Sequence, residues 1–321
     1  MVLVDTNTIK ECINVAKINH ISATKLSVYQ SCPFKYYLNY ITKEKPAISP
    51  QLAFGKEIHY MVEMFYKRNY KSRESFVNSF KYRWRLQCSG ELLKGKQLDN
   101  AEFKIYPYEL ANGDVVQVTL ASHIKWYLKK PHLEYFSMKK LGERILGEFY
   151  DRHVNDEKPI GLEKRFRFNW RGYPLLGVID RIDKTKDGKN IVLDYKTDKH
   201  PPEGKAHVLN NNPQFTIYSI AFDELYGEPL DDLLYYHLRS GKVYKTERYE
   251  ADSEYLEQLC KEFTHAVTND IFTPKYGYNC SFCDYKEACS MYKYGKDGPI
   301  RISDVPLVND VEEYDYMEAL A

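Results

Sequence analysis

No window of 18 uncharged apolar residues occurs in the 321-residue sequence, so no segment reads as a helix that crosses a bilayer. The start also lacks an unbroken apolar run: Asp5, Lys10 and Glu11 stand where an export signal needs an apolar stretch, and a cytoplasmic location is expected. Charge of one sign is lacking too, because 46 basic residues meet 45 acidic ones and the net charge is +1. No global field therefore draws in nucleic acid or an anionic membrane, and any polyanion site must be a local patch. No internal repeat or low-complexity segment appears. Cysteine is scarce and odd in number, seven in all, which disfavours a disulfide framework and favours free thiols or metal ligands. What is present, 43% hydrophobic and 28% charged residues, is the balance of an ordinary folded protein with a sizeable core.

Along the chain, Ser22 to Ile41 reads as helical, with Ser27 a candidate N-cap and Pro33 a break or bend. A second helix is predicted from about Leu52 to Asn69, where Ile58, Met61, Val62 and Phe65 recur at helical spacing and His59 sits beside the stripe. Residues 70 to 150 read as a helical insertion, with Phe76, Phe80, Trp84 and Cys88 four apart and Met138, Leu141, Ile145 and Phe149 on one face. From Glu163 the texture becomes a three-strand meander with turns at Arg171-Gly172 and Asp187-Gly188. Asn212-Pro213 then caps a helix that ends at Gly227, and a hairpin around Gly241 precedes a last helix with Tyr255, Leu256, Leu259, Cys260 and Phe263.

The chemistry concentrates in Gly177-Val178-Ile179-Asp180-Arg181-Ile182-Asp183 and, after a turn, Leu193-Asp194-Tyr195-Lys196. Strand side chains alternate, so Asp194 and Lys196 share a face and Tyr195 points away. The intervening hairpin folds Asp180 back towards Asp194. Two carboxylates about 4 Å apart repel by roughly 4 kcal/mol at an effective dielectric of 20, and a hard divalent ion such as Mg²⁺ or Mn²⁺ removes that cost. Lys196 would then steady an attacking water or a developing oxyanion. The plain alternative is a pair of exposed hairpin charges with Lys196 as a salt-bridge partner.

This segment resembles motifs two and three of the RecB-like exonuclease group in the PD-(D/E)xK nuclease superfamily. Gln214 and Tyr218, four apart on one helix face, are similar to that group's Gln-x-x-x-Tyr motif, to which the resemblance assigns DNA contact. Gly55-Lys56-x-x-His59 is similar to its first-helix motif, whose histidine joins the metal shell. All four matches stand in the expected order. Glu163 offers a further acid at the start of the meander, and Glu63 a partner for the His59 ring.

Near the end, Cys280-x-x-Cys283-x₅-Cys289 places three thiols in a polar stretch, and Cys32 is the candidate fourth. Cys12, Cys88 and Cys260 fall in apolar periodic runs and are assigned to the core. Four thiolates suit Zn²⁺ or an iron-sulfur cluster equally well on chemistry alone. One early cysteine with a late C-x₂-C-x₅-C resembles the iron-sulfur subset of RecB-like nucleases, including CRISPR-associated and helicase-partner members. That resemblance implies a four-iron four-sulfur cluster acting as a clasp between the terminal regions.

The fold expected is α/β with a central mixed sheet of the restriction-endonuclease type. Residues 1–69 would form the helical start of the nuclease domain, 70–150 the insertion, 151–295 the nuclease core and cysteines, and 296–321 an acidic tail open to a protein partner. The reaction implied is metal-dependent hydrolysis of DNA, most of all exonucleolytic on single strands. Lys164, Arg165, Arg167 and Arg171 are candidate phosphate contacts near the first hairpin, and a solvated strand face is their alternative. The rival function is a non-catalytic DNA-binding or adaptor subunit that keeps the nuclease fold.

Overall fold

The computed structural model describes residues 18–43, 46–110, 112–202, 209, 211–277, 280, 283–286 and 289. Cys12 and the acidic tail lie outside the described residues. In chain order the main elements are α1 (Ala23–Ser31), α2 (Pro50–Lys67), α3 (Arg73–Ser89), β1 (Phe103–Glu109), β2 (Val115–Ala121), α4 (Pro131–His153), β3 (Gly161–Trp170), β4 (Tyr173–Lys184), β5 (Asn190–Lys196), α5 (Pro213–Tyr226), β6 (Asp232–His237), β7 (Lys242–Thr246) and α6 (Glu250–Thr268). The chain divides into two units, residues 1–44 with 157–277 and residues 45–156 with 278–321.

The first unit holds a five-stranded mixed sheet in the order β3-β4-β5-β6-β7. Turn chemistry sets its antiparallel pairs. Arg171 and Gly172 take positive φ of 48° and 88° between β3 and β4, and the left-handed backbone they share is what a tight hairpin needs. Only β5 and β6 run parallel, and α5 makes the crossover between them. The buried core joins Ile179, Ile182 and Val192 of the sheet to Phe215, Phe222, Leu256 and Phe263 of α5 and α6. The α/β class with a mixed central sheet flanked by helices therefore holds.

The N-cap of α1 is Ser22, whose hydroxyl accepts from Lys25 N, so the helix starts five residues before the expected Ser27. Cys32 leaves the helix with extended backbone at φ −164°, and Pro33 opens a further short helical turn. In the second unit α3 and α4 match the predicted periodicity. The insertion is not helical throughout, however: β1 and β2 form an antiparallel hairpin between those helices. Its first strand is largely exposed and carries Pro107, so it lacks the alternation by which a half-buried strand is recognised. Buried Glu57 on α2 is held by Arg83 of α3 through two hydrogen bonds of 2.9 and 3.0 Å.

Candidate active site

The β4–β5 ladder places the acids. Arg181 pairs with Leu193 and Ile182 with Val192, so one step further Asp180 stands opposite Asp194. There the ladder opens, and the Asp180 carboxylate accepts the Tyr195 backbone N–H at 2.9 Å, the place a strand carbonyl would take. Both acids are withdrawn from water, Asp180 at 9% exposure and Asp194 at 1%. Burial first, and then the charge of Asp194, pushes the Asp180 carboxyl up to about 8.

Asp194 and Lys196 share a face, and Lys196 Nζ lies 2.7 Å from Asp194 Oδ2. Burial works against the ammonium, but the neighbouring charges of Asp194, Asp180 and Asp198 outweigh it and the lysine pKa is raised. Tyr195 points the other way, where Arg181 pairs with Asp183 at 2.7 Å and reaches the Tyr195 hydroxyl at 3.4 Å. The second aspartate of the motif thus neutralises a buried arginine and has no contact with Asp194 among those described.

Helix α5 supplies the clamp. The Asn212 side chain accepts from Gln214 N, and Pro213 occupies the first turn, which fixes where Gln214 emerges. One Gln214 amide then ties three groups. Its Nε2 donates to Asp194 Oδ1 at 3.0 Å and to the Tyr218 hydroxyl at 2.7 Å, while its Oε1 accepts from Lys196 at 3.1 Å. Burial, followed by the charges of Asp194 and Asp180, holds the Tyr218 hydroxyl protonated well above the ordinary range.

Glu163 enters from the edge strand. The flanking pairs Leu162–Arg181 and Lys164–Ile179 set it opposite Asp180. Its φ is 47°, a left-handed backbone that costs a non-glycine residue of order 1–3 kcal/mol and is concentrated at functional sites. Carboxylate oxygens of Glu163 and Asp180 lie within 4.8 Å of each other. Behind Lys196 the sequence reading passed over Asp198, which accepts from the Tyr235 hydroxyl at 2.8 Å and whose carbonyl meets the His237 ring at 2.7 Å. The only signal for it was its strand spacing of two from Lys196.

The donor set fits a hard divalent cation. Asp194 Oδ2 is buried without a hydrogen bond, because the Lys196 contact has ion-pair distance but not hydrogen-bond angles. The Asp180 carboxyl feels the charge of Asp194; Asp180 and Glu163 bring oxygens within 4.8 Å of each other, and oxygen-rich sites suit Mg²⁺ or Mn²⁺ better than softer metals.

A family model described as the PD-(D/E)XK nuclease superfamily matches residues 20–290. The chain belongs to that superfamily. Two curated relatives are subunits of ATP-dependent helicase/deoxyribonucleases of Streptococcus pyogenes, from serotype M6 strain MGAS10394 and serotype M12 strain MGAS2096. They are 25% and 24% identical to this chain over 253 residues, which is 76% of the chain and 20% of each relative. The chain thus spans about a fifth of the length of the curated relatives it matches. A crystal structure of a Eubacterium rectale protein covers 96% of the chain at 11% identity with a TM-score of 0.45, too distant to bear on the site.

Of the other residues singled out in the sequence, His59 is half-buried on α2 in the second unit, next to fully buried Ile58, and Glu63 pairs with Lys67. Cys88 and Cys260 are fully buried, and burial pushes the Cys260 thiol up to about 12, in keeping with core positions. Cys32, Cys280, Cys283 and Cys289 are only half-buried. Cys32 Sγ accepts the Lys275 backbone N–H at 3.4 Å, and Cys283 N donates to Cys280 O at 3.3 Å. Among the described residues, the thiols of Cys280, Cys283 and Cys289 do not all come within 4.8 Å of one another. Of the basic candidates, Arg171 is bound to Glu250 and Glu257 at 2.9 and 2.6 Å.

Proposed function

We propose that this chain is a metal-dependent DNA nuclease that hydrolyses phosphodiester bonds, acting as an exonuclease on single strands. The observation that carries the reading is the closed triangle of Asp194, Lys196 and Gln214, with the buried Asp180 opposite Asp194 on the adjacent strand. A purely DNA-binding adaptor would gain nothing from burying two carboxyl groups opposite each other, one of which burial and its neighbour's charge push up to about 8.

Asp180, Asp194 and Glu163 would hold a divalent ion, which when bound lowers the pKa of a water and offsets charge on the phosphate. His59 is assigned to the same shell on its sequence motif. Lys196 keeps its proton and supplies positive charge where the phosphate gains negative charge in the transition state. Gln214 orients both Asp194 and Lys196, and Tyr218 holds Gln214 in turn, so the strand contact inferred from their motif would be made by groups already fixed in place.

The four cysteines Cys32, Cys280, Cys283 and Cys289 are assigned to a four-iron four-sulfur clasp. Their spacing supports this, as does their half-buried state beside the fully buried Cys88 and Cys260. Protein purified without air then shows charge-transfer absorption in the visible range and acid-labile sulfide, and a colourless zinc-loaded preparation refutes the assignment. The deoxyribonuclease named in the curated relatives supports DNA as substrate and leaves room for a protein partner.

End-labelled linear strands and circular single strands, incubated with Mg²⁺ or Mn²⁺, test the reading. The expected result is loss of linear strands by wild type, and a fall of about 10²–10³-fold for Lys196→Ala. Equal activity in that variant and in wild type marks a contaminant and removes the proposal.

A further inference from the structure

The stretch Asn19–Ser22 lies along β4. Ile21 pairs with Leu175 through Ile21 N to Pro174 O at 2.7 Å and Leu176 N to Ile21 O at 2.9 Å. At that level the other flank of β4 belongs to β3, where Phe168 pairs with Leu175. Ile21 therefore occupies the flank on which β5, with Asp194 and Lys196, runs further along. Five strand residues separate Leu175 from Asp180, about 16 Å at 3.3 Å per residue.

Three basic side chains gather there. Lys25 Nζ donates to His20 O at 3.1 Å and lies 5.5 Å from the centre of the Tyr40 ring. Arg167 reaches from β3 to donate to Asn19 O at 3.1 Å and Asn19 Oδ1 at 2.7 Å. Burial lowers the His20 pKa, and the charges of Lys25 and Arg167 lower it further, so the ring lies within reach of both cations. Burial lowers the Lys25 pKa as well. Among the described residues no carboxylate pairs with any of the three. Arg171, by contrast, carries two glutamates at the same hairpin. Lys25 is half-buried and Arg167 exposed, and a half-buried cation with a second cation nearby and no acid is stabilised when an anion completes the site.

We infer that His20, Lys25 and Arg167 form a phosphate-binding subsite for the sugar-phosphate backbone of the DNA strand, outside the catalytic centre. At about 3.4 Å per nucleotide of a stacked strand, the subsite lies about five nucleotides from the scissile phosphate. This rests on the nuclease reading above and extends it to a footprint.

The test compares wild type, Lys25→Ala, Arg167→Gln and the double variant with labelled oligothymidylates of 3 and 20 nucleotides. In EDTA, binding of the 20-mer falls for each variant, and the slope of log affinity against log salt drops by roughly 0.7 per lost phosphate contact. With Mg²⁺ or Mn²⁺, KM for the 20-mer rises about tenfold in the double variant while kcat stays, and the 3-mer, too short to reach the subsite, is cut as by wild type. Unchanged salt slope and KM in folded variants overturn the subsite while leaving the nuclease. A loss equal at both lengths assigns the residues to folding and overturns it as well. Folded wild type that neither binds nor cuts the 20-mer overturns the nuclease reading itself.

Discussion

Gly177 lies beneath the Phe166 ring: a Cβ at position 177 would stand 2.4 Å from Phe166 Cζ. The contact matters beyond β3 and β4, because the same ring packs edge-on against Tyr218 at 6.4 Å, and Tyr218 accepts from the amide that holds Asp194. The motif glycine makes room for an aromatic wedge behind the clamp. Gly177→Ala is expected to destabilise the protein by about 1–3 kcal/mol through overpacking, and to lower kcat in the folded fraction. Chemical denaturation checks the first part. An unchanged midpoint would show that the ring moves freely and supports nothing.

Arg181 and Asp183 give a second prediction. The arginine is 6% exposed and its near neighbour in charge is Asp183. Asp183→Ala takes from a buried guanidinium the carboxylate 2.7 Å from it, and breaking a buried pair in this way costs about 3–5 kcal/mol. The folded remainder should still cleave, since Asp183 points away from Asp194. If Asp183→Ala were as stable as wild type and inactive, Asp183 would belong to the catalytic group and the assignment of faces would be wrong.

Gln214 separates positioning from charge. Gln214→Glu replaces an amide that donates to Asp194 with a further carboxylate against it, whereas Gln214→Ala only removes the donors. The glutamate variant is expected to lose more activity than the alanine variant, with a fall of about 10²–10³-fold in kcat. It should also recover partly at lower pH, where the new acid protonates. A flat pH response, or a milder loss for glutamate than for alanine, contradicts the clamp.

The pH dependence of stability follows from Asp180. Its carboxyl sits at about 8 in the folded protein against an ordinary 3.8, with burial the largest cause and Asp194 the next. Between those values the folded state holds a proton that the unfolded chain has released. Stability is therefore complete below the unfolded value and falls as pH rises towards 8, with a slope of up to about 1.4 kcal/mol per pH unit. A dication takes over from the proton, so Mn²⁺ should raise the melting temperature strongly at pH 8 and little at pH 5. Equal Mn²⁺ shifts at both pH values, or an unaltered slope in Asp180→Asn, would count against this origin.

Much of this arrangement is legible in the residues. Arg171-Gly172 and Asp187-Gly188 announce the turns, and with them the strand register that sets Asp180 against Asp194. Asn212-Pro213 announces the helix start that aims Gln214. Other parts leave no local trace. Glu163 adopts a left-handed backbone that its residue type disfavours, so only the assembled sheet reveals it. Ser22 caps α1 because its hydroxyl reaches Lys25 N, while Ser27, equally suited by type, lies inside the helix. In the β1–β2 hairpin, β1 is largely exposed and interrupted by Pro107, so the alternation of Val116, Val118 and Leu120 with Gln117 and Thr119 in β2 stands without a matching partner strand in the sequence. Charge neutralisation is likewise tertiary: Arg167 and Arg171 look alike in sequence, yet only Arg171 meets glutamates.

The most direct test is a titration of the metal-free protein with Mn²⁺ at pH 7.5 to 8, followed by the electron spin resonance of the bound ion. Wild type should take up Mn²⁺ in a carboxylate-oxygen environment, with Asp180→Asn and Asp194→Asn folded but unable to bind it there. Binding of undiminished affinity and unaltered spectrum in both variants would mean that these two aspartates do not share a cation, and the account would fail.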